Sequence, residues 1–554
     1  MKKIILSLMT IISFIFAVGI TEAFAETYED FEYVVEDGEV IIINFKSDDT
    51  TVTVPDEIDN LPVTTIDSGA FASETKIKKI TLPDTITTIG YHAFNYCTAL
   101  ESINIPSSVT TIEDAAFGSC NSLSKVYITD MEAWCNIDFE GYSANPFYKG
   151  TAALYLNNRF TSSITIPEGV TQLKPYAFYG FNEMTSIKIP VSLVSVGKDA
   201  FKNCTGITKV TISDIGAWCN IDFYNKYATP LWNGSKLYKG SSELKTLTIP
   251  DGVTQIKSYA FFGCTSITKV SIPESVTLLG TDTFGKCINL AEAVISAPLT
   301  EIPSHTFYEC TALEDVNIPE TVQVIGNTCF YNCSSLESIT IPKSVKNFNS
   351  SAFSHCDNLS KVYIEDLAAW CNIDISGKNS HPFQNFGTIY LNNKILKDVV
   401  VPEGITQIKN FAFYNCNTII TVTLHDGVTS IGEYAFSGCI DLKTTYYHGT
   451  QEQYEAMSVA AGNSILTNNV VFVKHIRAFV SDDKKTITVS MPSCVNKNDA
   501  VMLALYNGEE FIGIQIKKFE GTDITFNPEA SYTDARIMVW NTQSLLPSCN
   551  DKNI

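Results

Sequence analysis

The chain has 554 residues, enough for several domains or one long repeat array, and its hydrophobic content of 45% is that of a folded protein and not of a disordered one. Sixty acidic residues against 38 basic ones give a formal net charge of -22, which argues against a nucleic-acid backbone as the main partner and suits a soluble surface protein.

Residues 1–25 read as a secretory leader. Lys2 and Lys3 supply the positive region, Ile4 to Ile20 is mostly apolar, and Ala23-Phe24-Ala25 is a small-x-small cleavage site. The apolar run also approaches the length of an uncleaved anchor. No second run of that length follows, so no membrane span is expected once the leader is removed. Residues 26–60 contain two strand-like runs around Asp37-Gly38, a hairpin signal, and read as a cap over the first repeat.

Residues 61–445 carry a strict period. Cys264, Cys287, Cys310, Cys333 and Cys356 are each 23 residues apart, with apolar residues at +3, +6 and +8, usually then Pro, and an aromatic three residues before the next Cys. That is the signature of a solenoid, here of about fifteen coils at about 4.8 Å each. In Val270-Ser271-Ile272-Pro273 the apolar residues alternate as in a half-buried strand, and Pro273 ends it because it cannot donate a ladder hydrogen bond. Ten cysteines share one repeat position. Glu74 and Phe181 fill it in two other units, which a required disulfide partner could not do, so buried thiols are expected even in an exported chain.

Three gaps in the period are about 60 residues long and hold DMEAWCNIDF from Asp130, DIGAWCNIDF from Asp214 and DLAAWCNIDI from Asp366. Each gap reads as two coils, the extra one enlarged. The three Asp residues suit the N-caps of short helices. Trp134, Trp218 and Trp370 either pack on the adjacent coil or form an aromatic platform for a ligand; the near-identity of the inserts favours packing. Residues 446–475 read as the C-terminal cap, with Thr450 and Gln453 forming a capping box. Residues 476–554 alternate like strands, with Asn507-Gly508 as a hairpin turn. The fold class expected is an α/β-type repeat solenoid, mostly β, with one long parallel sheet, followed by a small β-sandwich.

Units such as Ile103 to Cys120 (INIPSSVTTIEDAAFGSC) and Val422 to Cys439 (VTLHDGVTSIGEYAFSGC) resemble the BspA-type leucine-rich-repeat family of bacterial and protozoan surface proteins, over about Phe31 to Val473. Ser296 in place of the strand-end Pro, and Glu74 and Phe181 in place of Cys, are small departures. The resemblance implies a non-catalytic, horseshoe or rod-like leucine-rich-repeat stack that in some members adheres to host matrix proteins or other microbes. It carries over no binding residues. The segments ALYNGEEFIGIQI and ARIMVWNT are similar to a β-sandwich module that ends many secreted Firmicutes proteins.

No catalytic, cofactor or metal site is expected, and the chain does not read as an enzyme. There is no H-E-x-x-H, G-x-S-x-G, phosphate-binding Gly loop or EF-hand pattern. Cys329 and Cys333 read as core, not as zinc ligands. The outward residues of the repeated strand, including Thr81, Asn104 and Asn317, either form a merely solvated sheet or a binding face. The candidate partner-binding residues on it are Lys125, Tyr127, Lys188, Lys209, Lys269, Lys361, Tyr363 and Tyr446. The expected function is that of a secreted or cell-surface, adhesin-like protein recognising an extracellular protein or glycan. The alternative is a structural scaffold that presents residues 476–554.

Overall fold

The computed structural model describes residues 25–472 and, beyond them, Pro528 and the strands Arg477–Val480, Ile487–Ser490, Ala500–Asn507, Glu510–Lys518, Ile524–Phe526, Asp534–Trp540 and Pro547–Asn553. The leader reading (Ala25 apart), the last residues of the C-terminal cap and Gly508 of the expected hairpin turn lie outside the described residues. The chain divides into two compact units, Met1–Leu290 and Ala291–Ile554.

One coil of the first unit shows how the period becomes structure. The strand Ser102–Asn104 alternates outward and inward, burying Ile103. Pro106 follows, and two residues later the Ser108 hydroxyl donates to the Ile86 carbonyl of the preceding coil at 2.6 Å. Thr85, Ser192 and Ser275 repeat that bond in other coils of the unit. A second, two-residue strand, Thr111–Ile112, buries Ile112. The chain then turns through Ala116 and Phe117, passes Cys120, and reaches Leu123, all buried. Strands of successive coils pair in parallel, in matching register, on both rows: Lys79↔Ser102↔Lys125 on the longer one and Thr65↔Thr88↔Thr111 on the shorter.

The aromatic column ties these coils together. Phe45, Phe71, Phe94 and Phe117 stack with ring centroids 5.2, 5.3 and 5.4 Å apart. Phe71 and Phe94 donate their backbone N–H to the carbonyls of Ala93 and Ala116 in the following coil, each at 2.8 Å. Cysteine does more here than fill space. The Cys97, Cys120, Cys204 and Cys287 thiols donate to the carbonyls of Phe71, Phe94, Phe178 and Phe261, at 2.9 to 3.1 Å. Burial pushes the thiol of Cys120 up to about 12, so it remains the protonated donor.

The second unit repeats the device. Phe307, Phe330 and Phe353 stack at 5.5 and 5.3 Å, and Cys333 and Cys356 donate to the Phe307 and Phe330 carbonyls. Cys329 is fully buried beside this column, and the Phe307 N–H bonds its carbonyl at 2.9 Å. The capping box at Thr450 and Gln453 forms as expected and opens the helix Gln451–Ala456. The seven strands described beyond residue 476 make two antiparallel sheets, one of three and one of four strands.

Two expectations need correction. The parallel sheet is not continuous, and each long gap is not simply two coils. After the strand Lys125–Ile128 the chain makes one enlarged coil to Ala153–Leu156, which pairs with it in parallel. It then turns back at Asn157-Asn158, both with positive φ, into the antiparallel strand Arg159–Phe160. Only after this hairpin does a regular coil begin, at Ser163–Thr165, in a new sheet. The same hairpin follows Lys236–Lys239 and Thr388–Leu391. Asn157 and Asn158, both able to hold positive φ, form the two-residue turn that favours a short antiparallel return over a full wrap.

The inward register predicts a clear asymmetry. Phe307 is fully buried, whereas the neighbouring Tyr308 is only half-buried and stacks on Tyr331 at the surface. In chemical denaturation, Phe307→Ala should cost about 3–5 kcal/mol and Tyr308→Ala about 1 kcal/mol. Equal losses would place the register wrongly.

Candidate functional site

The three inserts are built for packing. Asp130 accepts from the N–H of Glu132 and Ala133, Asp214 from Ala217 and Asp366 from Ala369, capping the short helices Met131–Asn136, Ile215–Cys219 and Leu367–Cys371. Each helix buries its Trp almost completely. The indole N–H of Trp134, Trp218 and Trp370 donates to the carbonyl of Ala177, Ala260 and Ala412, at 3.0, 2.8 and 2.8 Å. These carbonyls belong to the next regular coil, so the tryptophans bridge the enlarged coil to it and are not available as ligand platforms. Gly180 shows how tight the fit is. Its φ is +79°, and a Cβ there would lie 2.4 Å from the Phe147 carbonyl oxygen of the insert.

The strand row, in contrast, faces outward, and the hairpins divide it. Lys125 is exposed, and Tyr127 lies opposite Tyr155 on the neighbouring strand with ring centroids 4.9 Å apart. The Tyr155 ring meets Phe160 edge-on at 6.1 Å, and Phe160 is 54% exposed. In the next sheet Lys188 is exposed, two strands from Tyr238 in the same register, and Lys209 lies with its ammonium 4.6 Å over the Tyr238 ring. The Tyr238 hydroxyl donates to Glu243 on the hairpin's return strand. Lys269, half-buried, stands in a third sheet beside Thr246.

In the second unit Lys361 and Tyr363 share a strand, and Tyr363 stacks on Tyr390 at 4.8 Å, with the exposed Ile395 opposite Tyr390 on the hairpin. Tyr446 stands in a separate sheet, in a row with Val400, Thr423 and Val471. The eight candidate residues thus fall into five hydrogen-bonded sheets.

Two members of the wider row are not outward ligand contacts. The Asn104 side-chain amide exchanges two hydrogen bonds with the Leu82 backbone, both at 2.7 Å, and Asn317 does the same with Ile295 at 2.6 and 2.8 Å. Each takes the backbone rung that Tyr127 supplies to Ile105 one coil later. Sequence reasoning also missed Tyr155, Tyr238 and Tyr390. Their signal is an outward Tyr two residues before a turn, in Leu-Tyr-Leu-Asn-Asn, Leu-Tyr-Lys-Gly and Ile-Tyr-Leu-Asn-Asn. Among the described residues no three His, Cys, Asp or Glu side chains stand together as metal ligands, and no helix among them is long and apolar enough to cross a membrane.

A family model described as a BspA type leucine rich repeat region, in six copies, matches residues 50–140, 152–227, 234–360 and 384–479. Among solved structures, a leucine-rich repeat protein from Bacteroides ovatus is 21% identical, with a TM-score of 0.41, over 82% of this chain and 100% of its own. A leucine rich cell surface protein from Faecalibacterium prausnitzii is 19% identical, with a TM-score of 0.35, over 78% and 97%. The pneumococcal vaccine antigen PcpA is 15% identical, with a TM-score of 0.34, over 82% and 99%. No curated protein matches the chain.

The inserts differ at the residue before their Pro: Asn145, Thr229 and His381, all buried. The Asn145 amide donates to the Ala177 carbonyl at 3.0 Å. His381 accepts from the Phe383 N–H at Nδ1, and burial lowers its pKa from 6.5 to about 3. The folded chain therefore refuses a proton that the unfolded chain accepts below pH 6.5. Stability from this site is complete above that value and is lost as the pH falls toward 3, at about 1.4 kcal/mol per unit. His381→Asn should remove that loss. In urea unfolding, the drop from pH 7.5 to pH 5 should be about 2 kcal/mol larger for the parent chain than for the variant. Parallel pH profiles would contradict the assignment.

Proposed function

The chain belongs to the BspA-type leucine-rich repeat family, and from that premise we propose that it is a non-catalytic, secreted or cell-surface binding protein of adhesin type. It takes an extracellular protein or glycan on its strand face and uses neither cofactor nor nucleic acid. The observation that carries this reading is the recurrence of one device, an outward tyrosine packed ring to ring against a second tyrosine of the hairpin strand. Tyr127 with Tyr155, and Tyr363 with Tyr390, are two copies, and Lys209 over Tyr238 is a third in which a cation replaces the first ring. Paired tyrosines give broad contact area at low entropy cost. The β-sandwich proposed for residues 476–554, formed by its two antiparallel sheets, is an appended module in this reading.

Lys125 and Lys361 flank the tyrosine pairs, Lys188 shares the sheet of Tyr238 and Lys269 stands in a separate sheet; all four would attract acidic groups of a partner. Tyr446, beside Val471 and in one row with Thr423 and Val400, offers a separate and more apolar row. A screen of host matrix proteins and glycans against the full mature chain should yield a ligand. Tyr155→Ala and Tyr390→Ala should then weaken its binding about tenfold, equivalent to about 1.4 kcal/mol, with no loss of thermal stability. If only surface changes within residues 476–554 alter binding, the repeats serve as a scaffold and the strand-face reading fails.

A further inference from the structure

A second aromatic surface lies on the coil corners of the first unit, away from the strand row. Tyr142 meets Tyr148 at 6.3 Å and Tyr179 at 5.6 Å, and Tyr179 meets Tyr176 at 6.1 Å. One coil on, Tyr227 packs edge-on to Trp232 at 5.3 Å. These rings do not hold the coils in register, since Phe147, Phe178, Phe181 and Phe201 already do so beneath them. Tyr142 is 53% exposed and the nearby Tyr224 68%.

Ammonium groups lie among the rings. Lys149 stands 5.2 Å from the Tyr148 centroid, Lys226 5.2 Å from that of Tyr227, and Lys202 lies 5.2 Å from Tyr227 and 6.0 Å from Tyr179. The acid in contact with them, Asp199, is buried and already held by Lys202 at 3.2 Å and Asn225 at 2.8 Å. The exposed Asp114, which accepts from the Ser143 hydroxyl, borders the Tyr142 end, while the ammonium groups stand among the rings themselves, on a chain whose net charge is -22.

We propose that the tyrosine–lysine surface of residues 142–232 binds an acidic polysaccharide, a chain of sugar rings bearing carboxylates. The apolar C–H face of a pyranose lies flat on an aromatic ring, and carboxylates spaced along the chain meet lysines spaced along the coils. Lys149, Lys202 and Lys226 act as separate point charges; the one Arg of this range, Arg159, stands on the hairpin strand, not among these rings, so no contact of theirs offers the bidentate fork that phosphate recognition favours. Rings with lysines also suit single-stranded nucleic acid, and it is the lack of a phosphate-matching guanidinium among the rings that favours carboxylates over phosphates here.

The test is calorimetric titration of the full mature chain with polygalacturonate, neutral dextran and oligothymidylate. Polygalacturonate should bind, more weakly in high salt, and dextran should not. Lys149→Ala combined with Lys226→Ala should weaken binding about tenfold, and Tyr142→Ala about threefold, with unchanged melting temperature. Tyr155→Ala and Tyr390→Ala should leave it intact, which separates this surface from the strand face. The proposal is overturned if polygalacturonate does not bind, if dextran binds equally, if oligothymidylate binds more tightly, or if the corner variants have no effect while Tyr155→Ala does.

Discussion

Within a run of regular coils a buried Phe is tied to the next coil three times: its ring stacks on the next ring, its N–H bonds the next coil's carbonyl, and its own carbonyl accepts a thiol. Phe94 shows all three, through Phe117, the Ala116 carbonyl and Cys120. Individually these contacts are modest; a stacked pair contributes about 0.5–1.5 kcal/mol beyond its burial. Their joint effect is geometric. A coil one residue longer or shorter at this corner would lose all three, so the repeat length is held and outward residues of successive coils fall in register. The surfaces proposed for binding depend on that register, because Tyr127 opposite Tyr155 and Tyr363 opposite Tyr390 are products of strand alignment.

Insertions are tolerated where the ladder is rebuilt from another source. The enlarged coil brings a capped helix whose Trp N–H takes an Ala carbonyl of the next regular coil, in place of the Phe N–H that a regular neighbour would supply. The Cys position above the first insert becomes Phe181, which stacks on Phe147 of the insert at 4.5 Å. The hairpin that follows returns the chain to the strand row. It adds aromatic side chains to the outer face without lengthening the core.

Much of this was legible in the residues. The Phe and Cys spacing specified the inward column, the Asp before each Ala-Trp specified an N-cap, and the appearance of Glu74 and Phe181 at a Cys position ruled out an obligatory disulfide. The hairpins were not legible, because Leu154-Tyr155-Leu156 has the same alternation as a strand that goes on to wrap a coil. Asn104 and Asn317 were also misassigned. Their strand positions point outward by alternation, and only the three-dimensional register shows the short amide reaching the backbone of the previous coil. The thiol-to-carbonyl bonds were invisible for the same reason, since Cys at a buried position already has sufficient cause in its size and apolarity.

Thiol accessibility mapped residue by residue tests the inward column most directly. The native chain, treated with a thiol-alkylating reagent and digested for mass spectrometry, should show Cys97, Cys120, Cys204, Cys333, Cys356 and Cys439 unmodified, with complete modification in denaturant. Rapid native labelling of Cys120 or Cys333 would mean that the Phe carbonyls lack their thiol donors and that the coils are held in register by something else.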